Sequence, residues 1–143
     1  MIIDTHAHII VPEILREANP AEEWRPRVVW DNGKQFIEYN GKRIGSATRE
    51  FVQVETILSE MQKSGVDAVL LCPWVSLVRY EANAEESLGS CQVQNEALLS
   101  LVIKYPKQIS ALGILPLQDV ALATRELERL MKSGMKGVEI GTH

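Results

Sequence analysis

The sequence is short of the features that would set it apart from an ordinary globular protein. Its 143 residues include two cysteines, Cys72 and Cys91, too few for a disulfide framework, so both read as reduced core thiols of a cytoplasmic protein. Positive charge is not in excess either. Lys and Arg number 15 against 19 Asp and Glu, a net charge of -4, and the cations are scattered rather than clustered, which argues against a nucleic-acid partner. No apolar run approaches the roughly 18 to 20 residues of a membrane span. The apolar opening MIIDTHAHII has no basic leader, is short and is interrupted by charge, so it does not read as a signal peptide.

What is present is a chain with 45% hydrophobic and 24% charged residues, enough to bury a sizeable core. Residues 1–9 read as a strand. Residues 10–50 read as an insertion, in which Asn40-Gly41 lies between two short alternating runs and predicts a small hairpin. Val54, Ile57, Leu58 and Met61 fall at helical spacing over 52–64, stopped by Gly65. The run DAVLLCPW predicts a second strand. Asn83, with Glu86 three residues on, opens a long helix whose apolar end is Leu98, Leu99, Leu101, Val102 and Ile103, stopped before Pro106. ISALGILP predicts a third strand, and Asp119 caps a helix with Val120, Ala123, Leu127, Leu130 and Met131 on one face, ending at Gly134. GVEIG is the fourth strand.

Strands alternating with helices predict βαβ units around a parallel sheet. LSEMQKSGVDAVLL (58–71) is similar to LERLMKSGMKGVEI (127–140), each a helix ended by a left-handed glycine and followed by a strand. A complete (β/α)8 barrel takes about 250 residues. The expected fold is therefore α/β, the N-terminal half of a (β/α)8 TIM barrel: one partial domain over 1–143 with strands one to four and an insertion at about 10–50. Such a half would leave a sheet edge and apolar surface for a partner, and a homo-oligomer is expected.

The first strand carries the chemistry. Residues two apart in a strand point the same way, which puts Asp4, His6 and His8 on one side and Ile3, Thr5, Ala7 and Ile9 on the other, docked against helices. The two imidazoles can then converge on one ion at about 2.0 to 2.1 Å, with Asp4 orienting one of them through its other nitrogen.

DTHAHII at the end of strand one resembles the H-x-H signature of the amidohydrolase superfamily. IIDTHAHIIVPE, EMQKSGVDAVLLCP and the run from YPKQISALGILPLQD to GVEIGTH together resemble, more narrowly, the amidohydrolase-related family that includes α-amino-β-carboxymuconate-ε-semialdehyde decarboxylase. The resemblance spans nearly the whole chain and is weakest over 11–50. It implies a metal-dependent barrel with zinc, or another divalent metal, on His6 and His8. It also implies further ligands, a histidine on strand five and an aspartate on strand eight, and a catalytic histidine on strand six, all of which would follow His143. Zinc-dependent decarboxylation of a small carboxylated aromatic or ring-opened compound is the implied activity. Hydrolysis by the same superfamily chemistry is the alternative, and an inactive half-barrel needing a partner chain is another.

The remaining candidates come from the same resemblance. A family arginine after strand one holds a substrate carboxylate, which points to Arg43, with Arg49 second; a solvated arginine on the hairpin is the other reading. His143 is placed at the substrate pocket, with metal ligation a lesser alternative. Trp74, at the end of strand two, lines the pocket or simply packs. Cys72 has no basic partner in view and is not expected to act as ligand or nucleophile. The series RELERLMK reads as the solvated face of its helix.

Overall fold

The computed structural model describes residues 1–39, 41–45, 53–74 and 77–141. Thus Arg49 and His143 lie outside the described residues, as does Asn40. The main sheet is parallel, with strands β1 (Ile3–Ile9), β5 (Ala68–Pro73) and β6 (Ile109–Ala111) side by side in the order β1-β5-β6. Between β1 and the first helix, strands β2 (Arg27–Asp31), β3 (Lys34–Tyr39) and β4 (Lys42–Gly45) form a separate antiparallel sheet. Helices α1 (Val54–Ser64), α2 (Ala84–Lys104) and α3 (Val120–Lys132) come next in chain order, interleaved with β5 and β6. The fold is mixed α/β, with strands and helices alternating from β5 onward.

Local chemistry accounts for the helix ends. The Asn83 side chain accepts from the Glu86 backbone amide at 2.8 Å, and Asp119 accepts from that of Leu122 at 2.9 Å, so each start satisfies one orphan donor. Gly65 closes α1 at φ 71°, and Gly134, just past α3, adopts φ 94°, the left-handed backbone a side chain would disfavour. The two similar segments therefore end their helices alike. Beyond the glycine they diverge: β5 is a full strand, whereas GVEIG contributes only a parallel bridge between Gly113 and Val138.

The third predicted strand is also shorter than ISALGILP. The Leu112 amide still donates to Leu71 at 2.9 Å, but beyond it the Asn95 side chain takes both polar groups of Ile114, accepting from its N–H at 2.9 Å and donating to its carbonyl at 3.0 Å. Gly113 is required there: a Cβ would stand 2.6 Å from Leu130 Cδ1 and 2.9 Å from Asn95 Oδ1.

The excursion after β1 holds three strands rather than one hairpin. Tyr39 faces Lys42 across β3 and β4, and Asp31 faces Lys34 across β2 and β3. The turn between β2 and β3 is Asn32-Gly33, both at positive φ (50° and 73°), the two-residue turn that matches strand twist.

The core lies between the parallel sheet and the helices, with Ile9, Ile14, Val69, Leu71, Leu98 and Leu130 almost inaccessible to solvent. Ile37 brings the small sheet into the same cluster. On α3 the predicted apolar face needs correction: Val120 is 79% and Met131 41% exposed, while Glu126 is 2% exposed. Ile103, at the apolar end of α2, is exposed as well. The charged series on α3 is thus not wholly solvated. Glu126 goes inside because Asn95 and Arg129 both donate to its carboxylate, at 2.8 and 2.7 Å.

Candidate metal centre

Strand β1 is irregular where it matters. Asp4 pairs with Val69 and Ala7 with Leu71, so Thr5 and His6 together face the single residue Leu70: a β-bulge, of the kind that re-aims side chains. Strict alternation is lost. Ile3 and Thr5 are exposed, and only Ile9 and, in part, Ala7 face the core. Asp4 takes a different job from the one expected. Its Oδ1 accepts from the backbone amide of His6 at 3.0 Å, bracing the bulge instead of orienting an imidazole.

The bulge nevertheless leaves His6 and His8 converging. Their Nε2 atoms are 3.0 Å apart and the rings meet edge to face, centroids 4.5 Å apart. At His8 the Nδ1 atom lies 3.0 Å from the Pro73 carbonyl oxygen. A carbonyl only accepts, so Nδ1 carries the proton and the Nε2 lone pair faces His6. His6 Nδ1 lies 3.7 Å from Cys72 Sγ. In the metal-free pair His6 Nε2 therefore donates to His8 Nε2; with the His6 proton on Nδ1 instead, facing Cys72, both inner nitrogens can share an ion at about 2.0 to 2.1 Å from each.

Two further groups stand beside the pair. Glu139, four-fifths or more buried, places Oε2 4.0 Å from His8 Nδ1, and that oxygen is buried without a hydrogen-bond partner. His6, His8 and Glu139 offer ligand atoms all within 4.8 Å of one another. Cys72 is buried and unpaired. Burial pushes its thiol up to about 11, helped by the Glu139 and Asp4 carboxylates, so in the metal-free protein it stays protonated at neutral pH. Cys91 is likewise a buried free thiol, pushed up to about 12 by burial.

Of the other candidates, Trp74 follows β5 and packs against the core. Arg43 is on β4, half-exposed, with Nη1 2.8 Å from Asp31 and Nη2 3.4 Å from Glu38, and its guanidinium 5.4 Å from the Phe36 ring. Glu139 was not among the sequence candidates. The signal was there, an acidic residue in the apolar GVEIG run, but a lone carboxylate in a short strand has no spacing partner to single it out. Beside the histidines, a cleft of about 290 Å³ opens between β1 and α1, lined by Asp4, Ala7, His8, Thr56, Ile57 and Met61 among others. Among the described residues no helix is long and apolar enough to cross a membrane.

Comparison with known proteins agrees with this architecture. The amidohydrolase family model matches residues 3–143. The 2-amino-3-carboxymuconate-6-semialdehyde decarboxylase of Caenorhabditis elegans is 23% identical over 164 aligned positions, covering 99% of this chain and 41% of that enzyme. Among solved structures, 5-carboxyvanillate decarboxylase from Sphingomonas paucimobilis matches with TM-score 0.74 at 21% identity, over 99% of this chain and 43% of that one. The Novosphingobium aromaticivorans 5-carboxyvanillate decarboxylase, solved with manganese and 4-hydroxy-3-methoxy-5-nitrobenzoic acid, matches with TM-score 0.73 at 18% identity, over 100% and 42%. The chain thus spans less than half the length of these relatives.

Proposed function

Because the chain belongs to the amidohydrolase family, we propose that it supplies the N-terminal half of a (β/α)8 barrel in a metal-dependent decarboxylase of small carboxylated aromatic or ring-opened compounds. The observation that carries the metal is the pair of imidazoles whose Nε2 atoms stand 3.0 Å apart with their outer nitrogens engaged. The relatives support the reaction, since the nematode and Sphingomonas proteins are decarboxylases. A donor set of imidazole and carboxylate suits zinc and manganese alike; manganese is the ion in the Novosphingobium structure, so the ion is assigned as divalent, with zinc one candidate.

Bound by His6 and His8, a divalent ion would supply electrophilic stabilisation for the electron pair left on carbon as carbon dioxide departs. The chain's part is to hold and orient. The Pro73 carbonyl keeps the proton on His8 Nδ1 and so keeps Nε2 available. Arg43 is the proposed carboxylate clamp, and a substrate would have to compete there with Asp31 and Glu38 for the guanidinium. Trp74 and His143 are proposed to border the pocket. A second copy of the chain is the proposed partner, supported by β1, whose outer edge has no paired strand among the described residues; size-exclusion chromatography showing only monomer would remove that proposal.

Carbon dioxide release from carboxylated phenols and carboxylated muconate semialdehydes, measured with added zinc or manganese, tests the activity. Metal-dependent turnover that His6→Ala and His8→Ala each reduce by at least about a hundredfold is expected. Hydrolysis of an amide or ester in place of carbon dioxide release would favour the hydrolase reading. Turnover unchanged by chelation or by either substitution would overturn the metal assignment.

A further inference from the structure

We propose that Glu139 is a third protein ligand to the ion on His6 and His8, so that this chain by itself presents two imidazoles and a carboxylate. The inference rests on the metal reading above and goes beyond it by naming a donor from a different segment. Oε2 of Glu139 is buried with no hydrogen-bond partner, and the Cys72 thiol beside the carboxylate is a weak donor, an arrangement that is unfavourable unless a cation meets the charge. Among the described residues its only ion-pair neighbour is His8, at 4.0 Å from Nδ1. That separation is too long for a hydrogen bond, and the Nδ1 proton already has the Pro73 carbonyl at 3.0 Å. Glu139 is therefore not acting as the acceptor that orients His8. An ion among the three side chains meets that charge, and one ring nitrogen each from His6 and His8 and a carboxylate oxygen of Glu139 lie within 4.8 Å of one another.

The carboxylate is held there by its backbone, independently of β1. The Glu139 amide donates to the Gly113 carbonyl at 2.8 Å, and the Gly113 amide to Gly137 at 3.0 Å. The next residue, Ile114, is gripped on both sides by Asn95. Two anchored segments thus bring nitrogen and oxygen donors to one point. A carboxylate would offset one of the ion's two charges and shift the donor set toward ions that accept oxygen, manganese included, while leaving positions open for substrate.

Binding of Mn2+ and Zn2+ to the wild-type protein, Glu139→Gln and His6→Ala, measured by calorimetry and by manganese paramagnetic resonance, tests the proposal. Glu139→Gln is expected to raise Kd by about 10- to 100-fold, with the metal-free protein melting no lower than wild type. Infrared difference spectra of wild-type protein with isotope-labelled glutamate provide a readout that needs no variant: a glutamate carboxylate stretch should shift on adding metal. Unchanged affinity in Glu139→Gln together with loss in His6→Ala, or no carboxylate shift, would overturn the role of Glu139 and leave the histidine pair standing. Wild-type protein that binds neither ion would overturn both.

Discussion

Two polar clusters stand against the core, one inside it and one at its edge, and they are finished differently. At the junction of α2, α3 and the segment after β6, Asn95 and Glu126 are almost wholly buried and fully partnered. Asn95 grips both backbone groups of Ile114 and donates to Glu126, while Arg129 donates twice to the same carboxylate, at 2.8 and 2.7 Å. Around His6, His8, Cys72 and Glu139 the partners run out. Two ring nitrogens face each other, one carboxylate oxygen lacks a hydrogen-bond partner, and the thiol has only weak contacts, at 3.7 and 3.9 Å and with the Glu139 carboxylate. The first cluster closes upon itself and so belongs to the architecture; the second leaves its unused lone pairs aimed inward, as a site for an ion does.

If that contrast is right, damage to the closed cluster should cost stability and damage to the open one should not. The largest effect is expected from Asn95→Ala, which orphans the buried N–H and C=O of Ile114; at about 1 to 3 kcal/mol for each unsatisfied group, urea unfolding should register a loss of about 2 to 6 kcal/mol. Gly113→Ala forces a methyl group against Leu130 and Asn95 Oδ1 and is expected to cost about 1 to 3 kcal/mol by the same measurement.

A smaller effect, confined to acid, comes from Glu126. Burial pushes its carboxyl up, but hydrogen bonds from Arg129 and Asn95 and the Arg129 charge outweigh this and hold it below the usual carboxylate range. A carboxyl with a lowered folded-state pKa adds stability that is complete above its unfolded value near 4.5 and fades as pH falls through the folded one. Stability curves from pH 7 to pH 2 should therefore fall below about pH 4.5, less steeply in Glu126→Gln. An identical acid slope in that variant would contradict the assignment.

The smallest effect is expected at the open cluster. In metal-free protein His6→Ala removes an exposed ring and should leave unfolding within about 0.5 kcal/mol of wild type. A loss as large as that of Asn95→Ala would mean that the histidines are structural and that the two clusters do not differ in kind.

Much of this was readable along the chain because it depends on neighbours in sequence. Asn83 and Asp119 cap the helices they precede, Gly65 and Gly134 end helices through their own φ, and the alternation of strand and helix arises from local periodicity. The H-x-H pair was legible for the same reason, since two residues on one strand need no fold to be near each other. The bulge at Thr5 and His6 was not, because it exists only against β5, and neither was the turn of Asp4 toward the His6 amide. Glu126 escaped notice because a charged residue reads as exposed until its buried partners, 31 residues back at Asn95 and one turn on at Arg129, are in place.

The amino-acid sequence by itself determined where helices start and stop, the alternation of strand and helix and the two histidines of β1, all of which act over a few residues. Only the tertiary structure decided that Glu139 comes to rest beside His8, 131 positions earlier in the chain, and that its oxygen is left without a donor. Burial and charge pairing at such separations depend on which segments pack together, and no local pattern encodes that.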